Sequence, residues 1–260
     1  MPGKPNIVQW IKVGVTLLAL VVLWELACRI FAIAPFLLPS PSAIVSRMIE
    51  KPMLFWIHGW YTLYETFAGF ILAVAVGLVS AAIIVVVPSV RDVLMPILLI
   101  AQLVPKVAIA PILLVWFGYG VVPKIVIAFL VAFFPIVVNL ANGLVSVEKE
   151  LLDLGRSLEA SRWQVFWKFR MPAALPDLFS GMKIAITLAV IGAIIGEFVG
   201  GDRGLGYLII IANQELDTPL AFASLVVISL GGIVLYALIE VLERIVIPGR
   251  QPLQQPQVSS

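Results

Sequence analysis

Asp153-Leu154-Gly155-Arg156-Ser157-Leu158-Glu159-Ala160-Ser161-Arg162, closed by Phe169-Arg170-Met171-Pro172, forms a charged, helix-compatible island between two long apolar segments. Only 12% of the 260 residues are charged, and 62% are hydrophobic. An amphipathic stretch that runs to a proline in so apolar a chain reads as a docking handle for a soluble partner. The rest of the sequence then has to supply what the handle is attached to.

A soluble domain of this length carries about a quarter of its residues as charges. This chain carries half that share, with a mean hydropathy of +1.10, so its main solvent is lipid. A net charge of +2, spread rather than clustered, gives no footprint for nucleic acid. Cys28 is the single cysteine, which excludes an internal disulfide and any cysteine-built metal site. It reads as a small buried apolar residue.

Crossing ~30 Å of hydrocarbon takes about 20 apolar residues. Windows of that kind predict six transmembrane helices, at about 11–33, 61–87, 92–117, 122–146, 178–200 and 221–246, in one all-α domain. Pro35, Pro39 and Pro41 end the first, Pro88 to Asp92 separate the second from the third, and Gly118-Tyr119-Gly120 with Pro123 divide the third from the fourth. The island (about 150–176) precedes the fifth, and Gly200-Gly201-Asp202-Arg203-Gly204 precedes the sixth. A cleaved signal peptide is the rival reading of the first segment. Against it, Glu25 and Arg29 interrupt the apolar run at a spacing that lets them pair on one helix face.

Lys and Arg set the orientation. With the N-terminus in the cytoplasm, Lys4, Lys12, Arg91, Lys149, Arg156, Arg162, Lys168, Arg170, Arg244 and Arg250 fall inside, and Arg47, Lys51, Lys124 and Arg203 fall outside. Both termini and the island are therefore expected to be cytoplasmic. The only histidine, His58, is placed before the second helix, at the outer interface with Trp56, Trp60 and Tyr61.

Small residues recur four apart at Gly69, Ala73, Gly77 and Ala81, and again at Gly181, Ala185, Ala189 and Ala193. Such ridges let helices approach closely where lipid gives no hydrophobic drive for association. Polar residues within the spans are few. Lys106, beside Gln102 and between Pro105 and Pro111, lines a polar pathway or pairs with an internal carboxylate such as Glu197. Glu65, Asn139, Asn142 and Glu197 are weaker pathway candidates, read as lying toward helix ends.

No phosphate-binding glycine loop, zinc-protease helix or nucleophile elbow occurs, and one histidine cannot build a multi-histidine metal site. The chain is read as a non-enzyme with no catalytic residues. Uphill transport would then draw on an ion gradient or on another subunit.

The island resembles the cytoplasmic loop of bacterial ABC importer membrane subunits of the type I fold, Glu-Ala-Ala-x-x-x-Gly followed, after nine residues, by Ile-x-Leu-Pro. Asp153, Leu154 and Gly155 take the first three places, Glu159 that of the glycine, and Phe169, Met171 and Pro172 the closing ones. Leu38-Pro39-Ser40-Pro41, Pro105 to Pro111, Trp116 to Gly120, Phe134-Pro135-Ile136, Gly196-Glu197-Phe198 and Gly204-Leu205-Gly206 resemble the nitrate/sulfonate/taurine-type permeases. Two departures are Glu159 itself and Glu65, where such permeases often carry arginine.

This resemblance implies a homodimer with its pathway between copies and a soluble extracytoplasmic binding protein that delivers substrate. It also implies two separate ATP-binding cassette subunits, which hold the ATP and Mg; this chain itself carries no cofactor. The coupling residues it implies are Asp153, Leu154, Gly155, Arg156, Leu158, Glu159, Ala160, Ser161, Arg162 and Pro172, on one helix from Asp153 to Lys168. The expected substrate is a small anion such as nitrate, a sulfonate or taurine, with a vitamin or pyrimidine precursor as the alternative. The island has a rival role as an interfacial helix on anionic lipid, through Arg156, Arg162, Lys168 and Arg170 with Trp163, Phe166 and Trp167. An ion-coupled secondary transporter and a purely structural subunit are the other classes.

Overall fold

The computed structural model describes residues 7–247, and every regular element among them is helical. The side chains of 7–10, 88–90, Lys149, Leu154, Arg156 and Arg162 lie outside the described set. The elements are α1 (Ile7–Ile30), α2 (Pro41–Glu50), α3 (Pro52–Val86), α4 (Pro88–Leu103), α5 (Lys106–Phe117), α6 (Val121–Val145), α7 (Lys149–Ser157) and α8 (Arg162–Val165). A π-helical turn (Phe166–Arg170) then leads into α9 (Met171–Gly200), followed by α10 (Leu205–Gln214) and α11 (Thr218–Val246).

Five helices are long and apolar enough to cross a membrane, and a sixth span arises if α4 and α5 count as one. That third span is not one straight helix: α4 and α5 meet at 92°. The cause is Pro105, which disfavours helical backbone at Val104 (ψ 126°) and cannot donate to α4's carbonyls. The second span begins at Pro52 rather than near residue 61. Hence His58 is part of a helix instead of preceding one, and Glu65 lies in the helix interior rather than toward its end.

The chain divides into two compact units, Met1–Tyr61 with Asp202–Ser229 and Thr62–Gly201 with Leu230–Ser260. In the first, Glu25 pairs with Arg29 at 2.7 Å, as their spacing predicts, and also accepts from Ser42 N–H (2.9 Å) and Oγ (2.8 Å). One carboxylate thus ties the end of α1 to the start of α2. Arg47 of α2 pairs with Asp217 and with Glu50 (2.9 Å). The Asp217 hydrogen bond, then that of Glu50, holds the Arg47 guanidinium above its ordinary pKa. His58 Nδ1 sits 3.1 Å from the Gly204 amide nitrogen, and its ring stacks on Tyr207. Cys28 is buried, as expected.

The second unit is built on α6 packed along α9, with α3 on α6. A Cβ on Gly192 would stand 2.7 Å from Ala128 Cα, one on Gly196 2.9 Å from Lys124 Cα, and one on Gly181 2.9 Å from the Pro135 carbonyl. Gly69 and Gly77 of α3 meet Ala128 and Ile136 of α6 in the same way. Ala73, Ala81, Ala185, Ala189 and Ala193 are fully buried. The ridges read from the sequence are therefore the backbone-to-backbone seams of the bundle. Lys183 of α9 closes onto Glu243 of α11 at 2.5 Å.

Among the described residues, three non-glycine residues have positive φ: Ala32 (+46°), Glu159 (+51°) and Leu216 (+56°). Each stands one residue past the helix cap. In each case the next amide reaches back five residues: Ile33 to Cys28 (3.0 Å), Ala160 to Gly155 (3.0 Å) and Asp217 to Ala212 (2.8 Å). These are Schellman closures, which require a left-handed residue at that place.

Candidate functional site

The island folds as a helical hairpin. Helix α7 ends in the Schellman closure at Glu159, and α8 starts from a capping box. Ser161 Oγ accepts the Gln164 amide (3.3 Å), and Gln164 Oε1 accepts the Ser161 amide (2.8 Å). The single helix expected from Asp153 to Lys168 is therefore two, broken at residues 158–161 by opposed stop and start signals. Gly155 is buried where the two arms cross: a Cβ there would meet Val165 Cγ2 at 3.3 Å and Phe169 Cε2 at 3.6 Å.

Exposure at the bend is what a docking tip requires. Leu158 is 68% exposed and Trp163 66%, while Asp153, Glu159 and Ser161 are also exposed and Ala160 is half-buried. Beneath them Phe166 is buried and stacks on Trp163 (centroids 6.0 Å), anchoring the exposed ring. Leu154, Arg156 and Arg162 fall outside the described side chains, and Lys4 and Arg250 outside the described residues.

Pro172 does not end the hairpin. It occupies the first turn of α9, where its missing N–H has no cost, and the π turn carries the chain into α9 without a break (Met171 N–H to Phe166 O). Pro176 likewise lies inside α9. The tip is thus mechanically continuous with a 30-residue spanning helix. The base of this same arm is tied to α6 by Arg170 Nη1, which donates to the Leu144 carbonyl (3.4 Å) at the end of that helix.

The pathway candidates do not converge. Lys106 opens α5 at the break, donates to the Gln102 carbonyl, and lies 4.9 Å from the Phe134 ring centroid. It neutralises a carbonyl that the break leaves without an amide at the negative end of α4. Lys106 has no carboxylate partner among the described residues, so its pairing with Glu197 is not observed. Gln102 and Asn142 are exposed. Asn139 Nδ2 bonds back to the Pro135 carbonyl (2.8 Å), and its Cβ faces Gly181 across the α6–α9 seam.

Glu197 belongs to a different cluster. Its Oε1 accepts Thr62 Oγ1 at 2.6 Å, and nearby Lys124 Nζ donates to Glu65 Oε1 at 3.0 Å. All four side chains are at most 3% exposed. Lys124, read as a charge outside the membrane, is therefore a core residue of α6. A signal existed: Thr62, Glu65 and Thr66 share one helical face at i, i+3 and i+4, and Lys124 lay inside the predicted 122–146 helix.

Six spans, a broken third one and a charged hairpin between the fourth and fifth define the membrane-spanning subunit of a transport machine. The chain belongs to the family of binding-protein-dependent transport system inner membrane components, whose profile matches residues 73–250. It is 37% identical, over 90% of its length and 94% of the relative's, to the formylaminopyrimidine transport permease protein ThiX of Halalkalibacterium halodurans. It is 36% identical (92% and 91%) to the riboflavin transport system permease protein RibX of Chloroflexus aurantiacus. It is 30% identical (94% and 88%) to the aliphatic sulfonates transport permease protein SsuC of Bacillus subtilis, itself described as putative.

The fold is that of the inward-facing MetNI methionine ABC transporter, with TM-score 0.67 and 21% identity over 76% of this chain and 99% of that one. The protein is a multi-pass inner-membrane permease of the type I ABC importer fold. It is a transport component and not an enzyme.

Proposed function

We propose that two copies of this chain form one import pathway, with both termini and the α7–α8 hairpin in the cytoplasm. Each hairpin seats on a separate ATP-binding cassette subunit that supplies ATP and Mg, and an extracytoplasmic binding protein delivers substrate. The observation that carries this reading is the tip at Leu158–Ser161, capped on both sides and continuous with α9. Closure of the ATPase subunits would move that tip, and α9 would carry the motion into the bundle. Asp153, Gly155, Leu158, Glu159, Ala160 and Ser161 are the contact or shaping residues, with Leu154, Arg156 and Arg162 on the same arms. The exposed apolar faces of the long spans meet lipid.

The substrate proposed is a planar nitrogen heterocycle of the pyrimidine or flavin kind, because relatives at 36–37% identity are permeases for such compounds. A small sulfonate is the second reading, supported by the more distant sulfonate relative. The anion reading from Lys106 is weakened, since that ammonium already caps α4 and covers Phe134. The break at Val104-Pro105, with Gln102 and Lys106, remains the candidate pathway element, because broken spans expose polar backbone to a cavity.

The test is a thermal-shift ligand screen on the cognate binding protein, followed by ATP hydrolysis in the reconstituted complex. A heterocycle that stabilises the binding protein and then accelerates hydrolysis supports the reading. A sulfonate doing so in its place overturns the substrate class.

A further inference from the structure

Between Asp177 and Glu197, α9 carries a single ionisable side chain, Lys183, and it reaches across to α11. Its Nζ donates to Glu243 Oε2 at 2.5 Å, with 22% and 19% of the two side chains exposed. Among the described residues this is the only hydrogen bond or ion pair between α9 and α11. The neighbouring charges on α11, Glu240 and Arg244, pair with each other, which leaves Glu243 to Lys183. The rest of the contact is apolar. Leu235, Ile239 and Glu243 stand four apart on one face of α11, and the first two are buried in the core that α9 helps to build. A Cβ on Gly232 would stand 3.9 Å from Val190 Cγ2 of α9.

Apolar contacts alone do not fasten one spanning helix to another, because lipid tails offer the same side chains an equal environment. An ion pair shielded from water over most of its surface does. Parting its members leaves each charge without its partner in a low-dielectric medium. A displacement of α9 at this level therefore draws α11 with it. Lys183 lies roughly 18 Å along α9 from Met171, where the hairpin arm joins. Glu243 lies in the last turn of α11.

We propose that Lys183 and Glu243 are the positioning contact through which α9 hands the motion of the hairpin to the last span, so that α11 moves with the ATPase stroke instead of staying with the lipid. The inference rests on the reading of the α7–α8 hairpin as the coupling element.

Spin-label distance measurement between the two copies tests this, on the full complex in lipid nanodiscs, nucleotide-free and trapped with ATP and vanadate. One label sits at Ala173→Cys, exposed near the start of α9, or at Leu238→Cys, 58% exposed on α11, each on a Cys28→Ala background. Trapping is expected to shift both distances when Lys183 and Glu243 are intact. Lys183→Met with Glu243→Leu leaves no charge unpaired, so the melting temperature is kept. In that pair the Ala173 shift persists and the Leu238 shift falls by more than half. Independently, Lys183→Glu alone loses the Leu238 shift, and adding Glu243→Lys restores it. A packing role alone predicts a full Leu238 shift in the apolar pair, and that result overturns the proposal. Failure of the exchanged charges to restore the shift overturns it too. With the pair intact, movement at Ala173 without movement at Leu238 defeats this inference alone. Movement at neither defeats the coupling reading and the inference with it.

Discussion

Lys124 Nζ of α6 donates to Glu65 Oε1 of α3 at 3.0 Å, and neither side chain is more than 1% exposed. The pair joins two membrane-spanning helices at a depth where neither charge can reach water. Breaking a buried pair from one side costs ~3–5 kcal/mol. Lys124→Met is therefore expected to lower the melting temperature of the purified permease sharply. Unchanged melting would mean that the ammonium is not part of the folded core.

The α6–α9 seam predicts a graded glycine series. Gly192→Ala places a methyl 2.7 Å from Ala128 Cα, where backbone must move. Overpacking of that kind costs ~1–3 kcal/mol. Gly14→Ala is the control, with nothing within 4 Å of its new Cβ on exposed α1. It is expected to be neutral or to add up to ~1 kcal/mol of helix propensity. Thermal unfolding of the two variants side by side checks the ordering, and equal effects would count against the seam.

At the hairpin, Glu159 holds φ +51° in a position where glycine has no steric penalty. The left-handed conformation costs a side-chain-bearing residue ~1–2 kcal/mol, partly offset by the entropy that glycine adds to the unfolded chain. Glu159→Gly should therefore tighten the bend by up to ~1 kcal/mol, read as slower hydrogen exchange across residues 155–165. Glu159→Val, β-branched, should loosen it. Faster exchange in the glycine variant would rule out the Schellman closure as drawn.

Gly155 makes a separate prediction. Its Cβ position is already 3.3 Å from Val165, so alanine is tolerated with a small shift and leucine is not. Gly155→Leu is expected to spread the hairpin arms and abolish stimulation of the ATPase partner while leaving the membrane bundle folded. Full stimulation in that variant would separate arm packing from coupling.

The spans were legible because apolar length is a one-dimensional property. Schellman and capping-box signals at the bend were also in the sequence, at Glu159 and at Ser161–Gln164. They were obscured because Glu159 stands where the left-handed residue is usually glycine, so the island read as one helix. Pro172 misled for the opposite reason: a proline that looks like a terminator is harmless in the first turn of α9. The partner of Lys124 was not legible, since residues 65, 124 and 197 meet only once three helices are packed. Lys106 shows the same limit, because whether a membrane lysine seeks a carboxylate or a helix end depends on where the backbone breaks.

The central claim is that the α7–α8 hairpin transmits ATPase closure to the bundle, and Ala160 tests it most directly. Its amide makes the 3.0 Å bond to Gly155 O that closes α7, and proline at that place deletes the donor. The measurement is ATP hydrolysis by the reconstituted complex, with and without loaded binding protein, for wild type and Ala160→Pro. The account predicts strong stimulation in the wild type and none in the variant, with the membrane bundle intact by thermal unfolding. Equal stimulation and equal import by both would contradict it.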